Sequence, residues 1–265
     1  MFQPADEPML GAKRMIDDGL FDRIAPDMSL GVHVLPMARV GQAVVQTGPI
    51  WASRDELVLS IDGSQTPASE DVVRVAARVA SALYDVVERE GRTAEPVTFR
   101  VRSLAAEQEG TVWLGGAHDR PTRAVMELNL ALYDNALRET LLARIEDVAG
   151  DFTRAAGHEL GVERRYALPA LVNDVHVTAA VERAAAHVIG PASIVRNWRN
   201  PFSDDFGLFM AEAPGTLMLL GTGNPDKGIT EIWHRSGFDI DEDALPVGVE
   251  ILSLAALDLL RPRTL

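Results

Sequence analysis

An α/β fold with two domains is predicted by the order of apolar patterns and by the chain length. Segments that alternate apolar and polar residues, as strands do, are interleaved with segments that repeat apolar residues at helical spacing. The chain has 265 residues, near the length at which one hydrophobic core gives way to two. Hydrophobic residues make up 47% and charged residues 24%, which is the balance of an ordinary globular protein.

The first 50 residues contain one short helix and two strands. Residues 11–21 place their apolar side chains on one helical face, and Gly19 supplies a helix stop. Residues 29–34 and 43–45 follow as buried strands, and Pro36 breaks the pattern between them.

A second pattern, self-contained, occupies residues 51–167. Its elements are a strand at 57–61, a helix at 71–90, strands at 97–101 and 126–132, and a helix from Asn135. This order is roughly β-α-β-β-α-β, which is a compact ferredoxin-like unit that could fold as an insert.

Beyond Pro169 the pattern changes again. A helix at 177–188 precedes a buried strand at 216–220, which Gly221 closes, and an amphipathic helix ends the chain. Gly221, Gly223 and Asn224 are expected in a turn, since no phosphate-binding glycine spacing is present. Strands that feed helices suit a mixed α/β sheet.

Charge and composition exclude several classes of partner. The net charge of -14 repels a phosphate backbone, so nucleic acid is not expected as a partner. No apolar run approaches the roughly 20 residues that span a bilayer, and the first residues do not resemble a signal peptide. With no cysteine, any metal must be held by histidine and carboxylate. A cytoplasmic location is expected.

Two adjacent carboxylates, Asp6 and Glu7, are the first candidates for chemistry. Near a metal, one acid can bind the ion while the other takes a proton from the attacking water. Adjacent acids in a turn are more often simply solvated, so the pair alone leaves both interpretations open.

Two histidines are further candidates. His33 lies within an apolar strand, where a histidine is more often a satisfied core residue than a ligand. His234 lies on a loop, and loops carry functional residues more often than their length suggests. His158, His176 and His187 lie on or beside helical segments without ligand spacing and are expected at the surface. The acids at 239–243 are expected to cap the following helix, as are Asp204 and Asp205 for a helix from Phe206.

Taken in order, these segments resemble one family of enzymes. FQPADE followed by GAKRMIDDGLFD is similar to the FQPAEE and GA-K-MI-DGLF stretch of M20 hydrolases of the hippurate hydrolase and N-acyl-amino-acid amidohydrolase type. GVHVLP is similar to their GLHVWP, and SDDFGLFMAEAPGTLMLLGTGN to their SEDFA-F---PGAF-FLG-GN. WHRSGFDIDEDALPVGVEIL is similar to their LHSP-FDFDEDALPIG---L. The resemblance covers nearly the whole chain.

The resemblance implies a metal-dependent site and a reaction. Glu7, His33 and His234 stand at metal-ligand positions, and Asp6 stands where the family places its general base. A divalent ion, Zn, Mn or Co in a two-ion site, would activate water to hydrolyse the amide bond of N-acyl amino acids or small peptide-like substrates. Substrate-binding residues, the acyl group and the metal are not identified by the sequence.

The same resemblance predicts the domain boundaries. Residues 1–50 and 168–265 are expected to form an incomplete zinc-peptidase-like mixed-sheet domain that carries the metal site. Residues 51–167 are expected to form an inserted ferredoxin-like α/β sandwich, which serves as a lid and mediates dimerisation in the family. A homodimer acting on a small-molecule amide is therefore expected.

Departures from the family pattern support an alternative. The family's upstream Cys-Gly-His-Asp motif has no counterpart here, so an N-terminally truncated chain is expected. Residues 62–67 lack the family's histidine, and its arginine falls on Ala131. Loss of such donors removes electrostatic stabilisation of the reaction. The alternative is a truncated, catalytically impaired relative that acts as a dimerising or binding protein.

Overall fold

The structure is a computed structural model that describes residues 3–5, 7–63, 70–92, 96–107 and 121–261. The described residues form ten β-strands and seven α-helices. The strands are β1 (Ser29–Arg39), β2 (Ala43–Val44), β3 (Gly48–Trp51), β4 (Arg54–Asp62), β5 (Thr98–Glu107), β6 (Arg123–Ala131), β7 (Glu159–Leu168), β8 (Leu171–Asn173), β9 (Ile194–Val195) and β10 (Gly215–Gly223). The helices are α1 (Gly11–Asp17), α2 (Leu20–Arg23), α3 (Val72–Glu90), α4 (Asn135–Ala155), α5 (Val175–Val188), α6 (Phe206–Glu212) and α7 (Ala244–Leu259).

Two compact units divide the chain. The first unit comprises Met1–Trp51 and Leu171–Leu265, and the second comprises Ala52–Ala170. Both units mix helices and strands, so the predicted α/β class is confirmed. Among the described residues, no helix has the length and apolar character needed to cross a bilayer.

The first unit is built on a four-stranded sheet in the order β1-β10-β2-β9. β10 runs parallel to β1 and antiparallel to β2, and every residue of β10 is buried. Met218 packs with α5 and α7 on one side of the sheet, whereas Leu217 and Leu219 join a separate core cluster. This alternation follows from the two-residue period of a strand and gives the sheet a core on each face.

β1 does not stop at Pro36, contrary to the expected break. It continues to Arg39. β1 is an edge strand of this sheet, and its pairing with β10 is irregular between Leu35 and Arg39. A proline without an N–H is tolerated where the ladder is already interrupted or lies at an edge, which is why the strand survives.

The turn expected at Gly221, Gly223 and Asn224 is wrong for the two glycines, because both lie inside β10, whereas Asn224 directly precedes a short 3-10 helix at Pro225–Lys227. A Cβ at Gly221 would approach Arg39 O to 2.2 Å, and a Cβ at Gly223 would approach Pro36 O to 2.2 Å. These glycines therefore permit close approach of the two backbones, and they do not reverse the chain.

The second unit contains a four-stranded antiparallel sheet in the order β5-β6-β4-β7. Helix α3 follows β4 in sequence and α4 follows β6, and both pack on the apolar face of the sheet. The helix predicted over residues 71–90 is confirmed as α3, and the helix predicted from Asn135 as α4. Both begin after an aspartate whose carboxylate accepts backbone N–H groups, a standard N-cap.

A buried ion pair joins β4 to α4. The guanidinium of Arg138 donates through Nε to Asp55 Oδ2 at 2.8 Å and through Nη2 to Asp55 Oδ1 at 2.6 Å. The Asp55 side chain is 1% exposed. Burial raises the pKa of Asp55 above its ordinary value even though Arg138 opposes the shift. The free-energy cost of removing the Asp55 carboxylate from water therefore exceeds its favourable interaction with Arg138.

Candidate functional site

Glu7 and His234 are brought together although they lie at opposite ends of the first unit's sequence. Nε2 of His234 lies 2.8 Å from Oε2 of Glu7. Both side chains are more than 70% exposed, and an exposed pair of this kind adds little to stability. His234 also adopts a left-handed backbone conformation, with φ of 61°, which is unfavourable for a residue with a side chain. Stability alone does not account for this arrangement.

The turn that carries Glu7 is strained on both sides. Ala5 has φ of 53° and Met9 has φ of 55°, which are left-handed conformations. Four non-glycine residues with positive φ occur in the described part of the chain, and three of them are Ala5, Met9 and His234. Strained backbone of this kind concentrates at functional sites, where the surrounding structure holds it in place.

Asp205 is the anchor of the Glu7 segment. Its carboxylate is fully buried and accepts hydrogen bonds from Gln3 Nε2 at 2.6 Å and from the backbone N–H of Ala12 at 2.9 Å. Residues on both sides of Glu7 are thus tied to one carboxylate. Gly11 allows the close packing, because a Cβ there would lie 1.7 Å from Pro4 O.

The role expected for Asp205 as a helix cap falls to its neighbour. Asp204 Oδ1 accepts from the backbone N–H of Phe206 at 2.7 Å, at the start of α6. Asp205 is the N-cap residue of α6 by position, but its side chain makes no cap hydrogen bond. The expectation is therefore correct for Asp204 and wrong for Asp205.

His33 lies half-buried on β1 among aromatic rings. Its ring centroid is 4.9 Å from that of Trp51 and 5.5 Å from that of Trp233, both edge-on. Nδ1 lies 2.7 Å from Val34 O. A carbonyl oxygen only accepts, so Nδ1 carries the proton and Nε2 of the neutral ring keeps its lone pair. This is the tautomer that an imidazole needs to bind a cation through Nε2.

The loop that carries His234 is fixed at its base by charged groups. Lys227 Nζ donates to Asp241 at 2.8 Å and to Asp243 at 2.7 Å, and Asn224 Nδ2 donates to Asp241 at 2.5 Å. The ammonium of Lys227 and the amide of Asn224 lower the pKa of Asp241 to about 2. The same contacts raise the pKa of Lys227. The capping expected of the acids at 239–243 is not met, because Asp243, the N-cap residue of α7, makes no side-chain cap hydrogen bond. Asp241 Oδ1 accepts from the N–H of Asp243 at 3.2 Å, before the helix begins.

Glu7 and His234 are residues of the types that bind a divalent cation, but two ligands are too few to form a site. Carboxylate oxygen and imidazole nitrogen are ordinary zinc ligands, and such sites use at least three protein ligands. Within the described ranges, no group of three histidine, aspartate or glutamate side chains is placed to hold a metal ion. Glu7 and His234 are in contact, and His33 is not grouped with them. Asp6 and residues 64–67 lie outside the described residues.

Trp233, Asp205 and His158 have roles in the structure that sequence reasoning did not predict. Trp233 and Asp205 anchor the two segments that carry His234 and Glu7. His158, expected at the surface, is 5% exposed and its Nε2 contacts Glu70 O at 2.7 Å. No periodic signal marks these residues, because each acts across a long sequence separation.

The fold is of the α/β class, and Glu7 and His234 bring together two side chains of the types that bind divalent cations. The chain belongs to peptidase family M20/M25/M40, whose family model matches residues 1–258. The predicted M20 resemblance is thereby confirmed.

Similar proteins are longer than this chain. N-acetylcysteine deacetylase of Bacillus subtilis (strain 168) is 28% identical over 267 residues, which cover 98% of this chain and 66% of that protein. A crystal structure from Bacillus subtilis, described as a dinuclear metal binding peptidase from the M20 family, is 25% identical with a TM-score of 0.74 and covers 97% of this chain and 64% of that one. A structure from methicillin resistant Staphylococcus aureus shares the fold, with 24% identity and a TM-score of 0.80, and covers 98% of this chain and 66% of that one. The chain thus spans about two thirds of the length of these relatives.

Proposed function

We propose that the chain takes part in metal-dependent hydrolysis of an amide bond in N-acyl amino acids or small peptide-like substrates. The observation that carries the proposal is the 2.8 Å pairing of Glu7 with His234 in a member of the M20 family. The strained turns around both residues and the deacetylase name of a similar protein support it.

In this proposal Glu7, His33 and His234 are ligands of a divalent cation, Zn, Mn or Co. The similar Bacillus subtilis structure is described as dinuclear metal binding, which supports a divalent metal in general and no particular ion. Two paired donors do not complete a metal site, so the proposal requires donors beyond the contacts made by the described residues. Asp6 is retained as the proposed general base for the attacking water.

The second unit has a proposed role as well. We propose that it is the inserted ferredoxin-like lid of the family, with residues 51–167 as its predicted bounds, and that it mediates a homodimer. Its β-α-β-β-α-β element order and antiparallel sheet support this assignment. A cytoplasmic location remains part of the same proposal.

Hydrolysis of a panel of N-acyl amino acids, with Zn²⁺, Mn²⁺ or Co²⁺ added, tests the activity. Glu7→Gln keeps the shape of the side chain but removes its charge, and turnover is expected to fall by about 100-fold, the upper end of the loss seen when a residue that supports a metal ion is replaced. Glu231→Gln removes the same charge from the exposed loop that carries His234 and serves as the matched control. Turnover that is equal in the two variants would rule out a role for Glu7.

A non-catalytic binding protein is the second candidate. It is favoured by one observation, namely that the described residues bring two metal donors together and not three. The two candidates differ in metal content. The protein is purified, dialysed against a buffer that contains zinc at about 10 μM, and its metal content is measured by elemental analysis. Retention of less than one ion per chain would favour the binding protein, whereas two ions per chain would favour the enzyme.

A further inference from the structure

Helix α7 is apolar on nearly every side, although only one side of it is covered. Its polar residues are Glu250, Ser253 and Asp258. The residues that are buried against the rest of the first unit are Ala244, Gly248, Ile251 and Ala255. On the other side lie four side chains that are between 45% and 79% exposed, which form the α7 stripe: Leu245, Val249, Leu257 and Leu260. A helix that is hydrophobic all round is normally buried all round, so the α7 stripe indicates a surface that another element covers.

The edge of strand β1 is open next to α7. Within the described residues β1 pairs with β10 alone, and Ser29 directs its N–H towards β10. Backbone groups alternate in direction along a strand, so the N–H and C=O of Leu30 and Val32 point away from β10. On that same side Val34 O accepts from the indole N–H of Trp233 at 3.1 Å. The open part of the edge is therefore at Leu30 and Val32.

The open edge and the α7 stripe lie on one side of the first unit. Leu30 packs into the core cluster that includes residues of α5 and α7, and α7 contacts both β10 and β1. Side chains two residues apart share a face of a strand, so Val32 also lies on the α7 side, where it is 43% exposed. An unpaired edge beside apolar side chains is a template for a further strand.

The second unit does not share this exposure. Among the described residues it exposes three large apolar side chains, those of Tyr84, Leu104 and Val162, whereas the first unit exposes thirteen. The two units belong to one chain and are of similar size, so the difference is not a property of the whole protein. The first unit is the one that lacks a cover for its apolar surface.

Chemistry favours another polypeptide as that cover. Helices that lie on a lipid surface carry Lys and Arg on their polar face, whereas α7 carries Glu250 and Asp258 and no basic residue. A second copy of this chain would bring together two molecules that each have a net charge of -14. A different polypeptide meets neither objection.

The similar proteins indicate how large that polypeptide is. The Bacillus subtilis N-acetylcysteine deacetylase and the Bacillus subtilis M20 structure match 98% and 97% of this chain, so both units have counterparts in them. The match covers 66% and 64% of those proteins, so about a third of each is polypeptide that this chain does not match. A segment of that length exceeds what one strand and its flanking apolar residues require.

We propose that the open edge of β1 and the α7 stripe form one docking surface, and that its occupant is a polypeptide equivalent to the unmatched third of these relatives. The occupant adds a strand beside β1 through main-chain hydrogen bonds and covers the α7 stripe with apolar side chains. Burial of the stripe supplies the hydrophobic part of the interaction. The inference rests on exposure and strand pairing, and it holds whether or not the first unit binds a metal.

Co-expression tests the docking surface with a defined probe. The unmatched third of the Bacillus subtilis N-acetylcysteine deacetylase is given an affinity tag and is expressed together with the full chain. We expect the two to purify as a complex of one copy each, which light scattering after gel filtration measures. Absence of the chain from the purified probe would overturn the inference.

Matched variants locate the surface. Val249→Glu places a charge in the α7 stripe and should lower the amount of chain recovered per probe by about 10-fold or more, as for a central residue of an interface. Leu104→Glu makes the same kind of change at an exposed residue of β5 and should leave the recovery unchanged. Equal recovery of the two variants would contradict the assignment of the α7 stripe. Circular dichroism of each variant, expressed alone, establishes that it is folded.

Hydrogen exchange, measured by NMR, tests the strand edge without a substitution. The N–H of Val32 points away from β10, so it should exchange quickly in the chain alone and about 100-fold more slowly in the complex. The N–H of Gly31 points towards β10, should exchange slowly in both samples, and is the internal reference. Equally rapid exchange of Val32 in the complex would refute pairing at β1.

The chain expressed alone distinguishes the other occupants. Self-association that Val249→Glu abolishes would assign the surface to a second copy. Binding to phosphatidylglycerol vesicles that Val249→Glu abolishes would assign it to a lipid surface. Either result would overturn the choice of occupant, whereas an oligomeric state that Val249→Glu leaves unchanged, together with no vesicle binding, supports it.

Discussion

The buried pair of Asp55 and Arg138 allows a sharp test of how the second unit is held together. Arg138→Met keeps most of the aliphatic stem on α4 but leaves both Asp55 oxygens without the guanidinium. Removing one partner of a buried pair costs about 3–5 kcal/mol, because the remaining charge is left uncompensated in the interior. We expect the free energy of unfolding to fall by that amount at pH 7.

The same helix provides the control for this test. Arg154 pairs with Asp151 at 2.5 Å, but both side chains are more than 70% exposed. Arg154→Met should therefore cost less than about 1 kcal/mol. Urea unfolding followed by far-UV circular dichroism measures both variants, and equal losses for Arg138→Met and Arg154→Met would refute the argument from burial.

The pH dependence supplies an internal check. In Arg138→Met, Asp55 loses the charge that opposes its raised pKa, so the carboxyl protonates more readily in the folded state. A group whose folded pKa lies above its unfolded pKa contributes stability at low pH and loses it as the pH rises through the folded value. The loss in free energy of unfolding caused by Arg138→Met should therefore be smaller at pH 4 than at pH 7. Replacing both partners, as Asp55→Leu with Arg138→Met, should recover stability to within about 1 kcal/mol of the original.

Three further predictions concern other parts of the structure. Asp205→Asn should lower the free energy of unfolding, measured in urea, by about 1–3 kcal/mol, because it weakens a buried acceptor of two hydrogen bonds. An unchanged urea midpoint would contradict the anchoring role of Asp205. The pKa of Asp241 is about 2 in the folded protein, so its carboxylate stabilises the fold at pH values above its ordinary pKa, and this stabilisation is lost as the pH falls from about 4 towards 2. In Asp241→Asn the thermal midpoint should therefore decline less steeply over that pH range. Leu59→Ala, at a fully buried position, should cost about 2–5 kcal/mol by opening a cavity, and a loss below 1 kcal/mol would show that the core of the second unit collapses around the site.

The helices and strands of the fold were largely predictable from periodicity. α3 and α4 combine an aspartate N-cap with apolar residues at helical spacing, and both signals are local in sequence. β1 was predicted too short, because the effect of Pro36 depends on whether its strand lies at an edge. That property belongs to the sheet and cannot be read from the strand itself.

The candidate site was predictable only through motifs. The spacing of Glu7 and His234 along the chain carries no periodic signal, and family motifs alone pointed to the pair. The buried role of Asp205 could not be separated from helix capping by sequence, because both roles suit an aspartate before an apolar helix. His158 was misjudged since it lies just beyond α4, and its burial depends on contact with Glu70 O, far away in sequence.

The pairing of β1 with β10 has a consequence for how the polypeptide is made. Ser29 pairs with Gly215, so at ribosomal rates of roughly 5–20 residues per second about 10–40 s separate the synthesis of the two strands. All of Ala52–Ala170 emerges in that interval. The second unit can therefore fold before β10, the partner strand of β1, has been synthesised. In nascent chains that are halted before β10, the second unit should already resist protease.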